Sequence, residues 1–137
     1  MKKMEFKKLK NKIFWFGLLL IFACAKAPHL KPGYIPPGEI IERYHSALRW
    51  QDYEGARQYV LPQLYPDFDQ FVQSIKDQLN ITEFQIISLE LEEDGYQAQV
   101  QVRRNYYLLS SLKNQEQVLT QTWKLIDGRW YLSAPPF

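Results

Sequence analysis

Trp123-Lys124-Leu125-Ile126-Asp127-Gly128-Arg129-Trp130-Tyr131-Leu132 is two alternating runs around an Asp-Gly pair. A two-residue type I′ turn needs positive φ at both central residues, which Asp and Gly tolerate. Folded about that pair, Ile126 faces Arg129, Leu125 faces Trp130 and Trp123 faces Leu132, while Lys124 meets Tyr131 on the other side. Asp94-Gly95 predicts a second turn of the same kind. It sets Glu93 opposite Tyr96, Leu91 opposite Ala98, Leu89 opposite Val100 and Ile87 opposite Val102. Because a slip of one residue would turn every apolar side chain to the wrong face, the two agreements fix the register. The stretch Glu83 to Ser133 is therefore one antiparallel sheet, with strands over 83–92, 96–109, 115–126 and 129–133 and a longer polar turn over 110–114.

Helical spacing precedes the sheet. Ile40, Ile41, Tyr44, Ala47 and Leu48 form one apolar stripe, opened after Pro37-Gly38 by Glu39 and Glu42 and ended near Trp50. A short helix is expected over 53–60, stopped by Leu61-Pro62, and a third over about 67–79 with Phe68, Phe71, Val72, Ile75 and Leu79 on one side. Along the second strand Gln97, Gln99 and Gln101 alternate with Ala98, Val100 and Val102, so one face is wet and the helices cover the other. The fold class is α+β: N-terminal helices packed on a curved, four-stranded antiparallel meander.

The chain has 137 residues, 46 % hydrophobic and 15 % aromatic, which suits one globular domain. Its formal charge of +2 comes from the front, where six lysines and one glutamate precede Cys24. The remainder of the chain holds eleven Lys+Arg against fourteen Asp+Glu, a net of −3. No basic cluster interleaved with aromatics remains there, so no nucleic acid partner is expected.

Residues 1–23 are built as an export signal: a lysine-rich start, then the apolar run Ile13 to Ala23. The run is shorter than the roughly 20 residues a bilayer-crossing helix needs. It closes on Ile21-Phe22-Ala23-Cys24, with the chain's one cysteine, and this resembles the lipobox of bacterial lipoproteins. The resemblance implies that Cys24 carries a diacylglycerol anchor to the membrane, although Phe22 is bulkier than is usual there. Ala25 and Lys26 include no retaining aspartate, which implies the outer membrane, facing the periplasm, in a two-membrane bacterium. The competing reading is an ordinary signal cut near Ala23 or Ala25, with Cys24 an incidental thiol. Residues 24–38, with Pro28, Pro32, Pro36 and Pro37, read as an extended tether. His29 within it reads as solvated. The globular domain is 39–137.

The word Trp50-Gln51-Asp52-Tyr53-Glu54-Gly55-Ala56-Arg57, a long alternating strand, and then Trp123 to Leu132 resemble small exported members of the nuclear transport factor two-like superfamily. The resemblance covers about 39–133 and implies a cystatin-like cone, a curved sheet around helices with a pocket at its wide end. That superfamily includes isomerases, polyketide cyclases, dehydratases and binding modules, so the fold does not select a function.

On the strand that carries Val100 and Val102 inward, Arg104 and Tyr106 point the same way, and Gln121 shares the face of Leu119 and Trp123. Together with Tyr44 they form a candidate pocket for an anionic ligand. The plainer reading is a frayed sheet end, with Arg104 paired to Glu42 or Asp69. The sheet's acids, Glu90, Glu92, Glu93 and Asp94, fall on the wet face or at the turn, so no catalytic carboxylate is expected. His45 reads as a surface residue at the edge of its stripe. Two distant histidines and one cysteine predict no metal site, and no cofactor motif is present. The expectation is a lipid-anchored envelope protein, not an enzyme, that binds a protein partner or a small ligand; Tyr53, Tyr65, Tyr107 and Tyr131 are the expected exposed interface aromatics. The alternative is a small isomerase- or dehydratase-like enzyme using the cone.

Overall fold

The computed structural model describes residues 33–137. The expected export signal, the expected lipidation site at Cys24 and the expected tether up to residue 32 lie outside the described residues. Among the described residues no helix is long and apolar enough to cross a membrane.

Helix α1 spans Pro37–Arg49. It starts two residues before the expected Glu39 because proline suits the first helical position, where its missing N–H would have had no partner. Its end is a Schellman closure: Gln51, in the left-handed region at φ 59°, donates to the carbonyl of Leu48, and Asp52 donates to that of Ala47. Helix α2 covers only Tyr53–Arg57, short of the expected Val60. Val60 instead makes a parallel bridge to Leu132. After a 3₁₀ turn at Pro62–Leu64, helix α3 spans Tyr65–Ile75, not 67–79. Leu79 fits the helical stripe by spacing, but the sheet claims it.

The strands are β1 (Leu79–Leu91), β2 (Gln97–Leu108), β3 (Asn114–Ile126) and β4 (Arg129–Leu132), in the order β1-β2-β3-β4. Every expected pair of the β3–β4 hairpin is present, and Asp127 and Gly128 both take positive φ, 50° and 78°. The β1–β2 hairpin keeps the expected register at Leu91 with Ala98 and Leu89 with Val100. Its turn is different: Gly95 takes φ 73° while Asp94 does not turn left-handed, and Gly95 N–H donates to the Glu92 carbonyl at 2.9 Å. The Asp94 carboxylate takes the Tyr96 N–H, which favours the wider loop. Further along, a bulge between Ile86 and Ser88 puts Ile86 opposite Val102 and leaves Ile87, the expected partner, 42 % exposed.

The helices cover the inner face of the sheet. Ile41, Tyr44, Leu48, Phe68, Val100, Val102, Trp123, Trp130 and Leu132 are all buried. The Tyr44 ring meets Trp123 edge-on at 5.5 Å, so the tryptophans face the helices as the cone requires. After β4 the chain turns back over the sheet, and Phe137 is buried against Phe68 and Phe71, with ring centroids 5.5 and 5.6 Å away.

Candidate functional site

The sheet alternation delivers Arg104, Tyr106 and Gln121 to the inner face, as the sequence implies. Their surroundings are drier than expected. Arg104 is 5 % exposed and Gln121 is fully buried. A charge that has lost its water needs a partner. Neither Glu42 nor Asp69 supplies one, which corrects the expected pairing. Glu42 is exposed, and Asp69 takes a two-pronged contact from Arg57 at 2.9 and 3.1 Å. Arg104 instead donates from Nη2 to the main-chain oxygen of Phe137, and its Nε has no partner among the described residues. Burial pulls its pKa down to about 10, with the Tyr44 and Tyr106 hydroxyls acting in the other direction, so it stays charged at neutral pH.

Beneath Arg104 lies a polar chain that the sequence did not reveal. Gln121 Oε1 is 3.0 Å from His45 Nε2 and 3.4 Å from Trp123 Nε1, and Gln121 Nε2 donates to the Pro136 carbonyl at 3.0 Å. An indole N–H only donates, and a carbonyl only accepts, so the amide orientation is fixed at both ends. His45 must then donate from Nε2 and is neutral, with Nδ1 left as a bare lone pair. That atom and the Tyr44 hydroxyl are buried without partners among the described residues. Burial, seconded by the Arg104 charge, lowers the His45 pKa to about 3 against the opposing pull of the Gln121 bond, and burial raises that of Tyr44. His45 is 1 % exposed, not a surface residue. The signal was present: it stands four after Ile41 and three before Leu48, within the stripe.

Above these groups a cavity of about 390 Å³ opens between α3, the far ends of β1, β2 and β3, and the closing segment. Ile75, Ile81, Leu119 and Phe137 give it apolar walls, and Arg104 and Tyr106 its polar side. The structure therefore brings Arg104 and Tyr106 to the cavity and sets Tyr44 and Gln121 behind it, where Pro136 and Phe137 close over them. The closing segment was missed, although an aromatic after two prolines beyond the last strand is its trace in the sequence.

The other candidates fall elsewhere. Glu90, Glu92, Glu93 and Asp94 are exposed. Among the described residues no three His, Cys, Asp or Glu side chains gather as a metal site. The four interface tyrosines are half-buried, not exposed. Tyr65 lies under Arg57, 3.8 Å from the guanidinium, and Tyr107 accepts a hydrogen bond from Asn80. Trp50 and Tyr96 are the exposed aromatics of the domain.

No family model and no curated protein matches the chain. Solved structures do. A SEC-C motif containing protein from Rhodopseudomonas palustris aligns with TM-score 0.61 at 16 % identity, over 72 % of this chain and 75 % of its own. A nuclear transport factor two-like protein of unknown function from Shewanella oneidensis aligns with TM-score 0.54 at 17 % identity, over 71 % and 95 %. A candidate isomerase from Rhodopseudomonas palustris aligns with TM-score 0.50 at 15 % identity, over 69 % and 83 %. That last likeness corrects the expectation that the chain is not an enzyme, because a missing familiar constellation is no argument against catalysis on a scaffold shared with a candidate isomerase. Helices first and an open four-stranded meander after, wrapped round a cavity at one end, make this domain by fold a nuclear transport factor two-like cone.

Proposed function

We propose that the chain is a lipid-anchored cell-envelope protein, held to a membrane through Cys24, whose cone takes up a small, mainly apolar ligand at the Arg104 end. One observation carries the ligand: an apolar cavity of about 390 Å³ bordered by a buried cation that no side-chain carboxylate among the described residues pairs. That volume lies in the range of roughly 300–1,000 Å³ that small-molecule sites occupy, and sites of that kind combine apolar walls with few polar groups. The neutral dye N-phenyl-1-naphthylamine is expected to brighten on entering the wild-type cavity and to stay dim with Leu119→Trp, which fills it. A dye that ignores the wild-type protein overturns the ligand reading. For the anchor, labelling with a palmitate analogue is expected in the wild type and absent in Cys24→Ser; equal labelling of both ends that half of the proposal.

A second reading is turnover of the bound ligand, an isomerase- or dehydratase-like proton transfer. The fold shared with the candidate isomerase supports it; the bare Nδ1 of His45 and the Tyr44 hydroxyl lie behind the cavity, so a substrate reaches them only if the closing segment moves away, and a pKa of about 3 leaves His45 a weak base. A bound ketone that exchanges its α-protons with deuterated water in the wild type and not in His45→Leu would support it. Equal exchange in both would exclude His45.

A further inference from the structure

The end of the cone where the cavity opens also holds large apolar side chains in water. Gln51 donates to Asn80, Asn80 to the Tyr107 hydroxyl, and the Leu109 N–H to the Gln78 carbonyl at 2.8 Å. These contacts set the last turn of α1, the start of β1 and the turn after β2 side by side, next to Leu79 and Tyr106 in the cavity wall. Trp50 and Leu112 stand at that end, each 74 % exposed, the highest values for large apolar residues among the described ones, and Leu109 is exposed beside them. Leu112 also takes φ 53°, a left-handed backbone that is costly for a leucine. Its N–H closes the turn on the Leu108 carbonyl at 2.8 Å, yet a side chain this exposed gains little from packing within the domain.

A ligand that suits an apolar cavity is sparingly soluble in water and partitions into apolar phases. A bilayer is such a phase, and tryptophan and leucine are side chains that settle into its interface. Charge decides between the two ends of the sheet. Around the mouth, Arg49, Lys76 and Lys113 balance Asp52, Glu54 and Asp77. At the opposite end Leu91, Tyr96 and Ile126 are exposed too, but there Lys124 and Arg129 stand against Glu92, Glu93, Asp94 and Asp127. The negative potential of an anionic lipid surface repels that end and tolerates the mouth.

We propose that the mouth of the cone docks on a lipid surface through Trp50, Leu109 and Leu112, so that an apolar ligand passes between bilayer and cavity without crossing water. This rests on the ligand reading above and names the place from which the ligand is taken. The proposed anchor at Cys24 permits it. Residues 24–36 would span roughly 40 Å if extended, whereas α1, whose length separates Pro37 from the mouth, measures roughly 20 Å.

The test uses the full chain with Cys24→Ser and one new thiol, labelled with the environment-sensitive fluorophore nitrobenzoxadiazole. The label is placed at Ser110→Cys between the leucines, at Thr120→Cys on the outer face of the sheet, or at Tyr96→Cys at the opposite end. All three proteins carry the same residues 1–32, so differences among the labels report the domain alone. With vesicles of phosphatidylcholine and phosphatidylglycerol, the label at 110 is expected to brighten at least about twofold as it leaves water, and those at 120 and 96 to change little. Adding Leu109→Asp and Leu112→Asp is expected to abolish the brightening at 110 while N-phenyl-1-naphthylamine still enters the cavity, which shows the cone intact. Dye preloaded into vesicles is expected to reach the unlabelled wild type, read by energy transfer from its tryptophans, at a rate that rises with vesicle concentration. No brightening at 110, equal brightening at all three places, or brightening that survives the two aspartates overturns the docking. A transfer rate independent of vesicle concentration overturns the passage. If the dye enters the wild-type cavity while any of those results is found, the ligand reading stands and this inference alone falls. Brightening at 110 with a dye that never enters overturns the ligand reading and keeps the docking.

Discussion

Gln121 joins His45, Trp123 and the Pro136 carbonyl with a single fully buried amide. Replacing it with Leu leaves the His45 and Trp123 N–H groups without acceptors in a dry place. Each orphaned buried donor costs roughly 1–3 kcal/mol, so Gln121→Leu is expected to lower unfolding free energy by about 2–4 kcal/mol in urea titrations. A loss under about 1 kcal/mol would mean that the amide holds nothing together. His45 makes stability depend on pH. Its pKa is about 3 in the folded protein and 6.5 when free, so the unfolded chain takes up a proton that the folded one refuses. The contribution is whole above pH 6.5 and is lost as pH falls toward 3, at up to about 1.4 kcal/mol per pH unit. Urea midpoints at pH 7.5, 6 and 5 should drop in the wild type and much less in His45→Leu. The inward placement of Arg104 and Gln121 was legible because strand alternation has period two and tolerates no ambiguity. Their partners were not, because the main-chain oxygens of Pro136 and Phe137 carry no signature in residue type.

At the scale of elements, α2 hangs on its cap. Asp52 Oδ1 accepts the Gly55 N–H at 2.9 Å, and a β-carbon added at Gly55 would stand 2.0 Å from Asp52 Oδ2. In an ordinary helix Gly→Ala stabilises by up to about 1 kcal/mol. Here the new methyl expels the cap, which is worth about as much, so Gly55→Ala is expected to give no gain or a loss. With Asp52→Ala already in place the same substitution should stabilise, and a double-mutant cycle on thermal midpoints measures the coupling. Additive effects would show that the methyl and the carboxylate do not compete. Elements whose signal is double, as with Asp127-Gly128 between two alternating runs, were readable to the residue. Boundaries where two periods agree were not: Leu79 completes the stripe of Phe71, Val72 and Ile75, and only the length of β2, which offers Leu108 as its partner, assigns it to a strand. Asp94-Gly95 gave the right partners for Leu91 and Leu89 from the wrong turn because a two-residue and a four-residue loop centred on the same point share one register.

At the scale of the whole molecule, helices on one side and a polar sheet face on the other are dictated by composition and order alone. What was not legible is the closure of the cone by its own last aromatic, which depends on the path of a few residues after β4. The margins of the sheet are treated differently. On one side, β4 is sheltered, since Leu132 donates to the Tyr59 carbonyl and its own carbonyl accepts from Leu61. On the other, β1 runs for thirteen residues with no strand beyond it among the described residues, and its exposed side chains include Ile87 and Leu91. Two breaks in register, at Ile81/Glu83 and Ile86/Ser88, interrupt that margin. Irregularities of this sort keep an unpaired strand from templating a second chain. Deleting Ile87 would straighten the ladder, and the shortened protein is expected to form thioflavin-positive fibrils under conditions in which the parent stays monomeric. A clear solution would mean that something other than the kinks guards this flank, the one along which two copies would otherwise zip together.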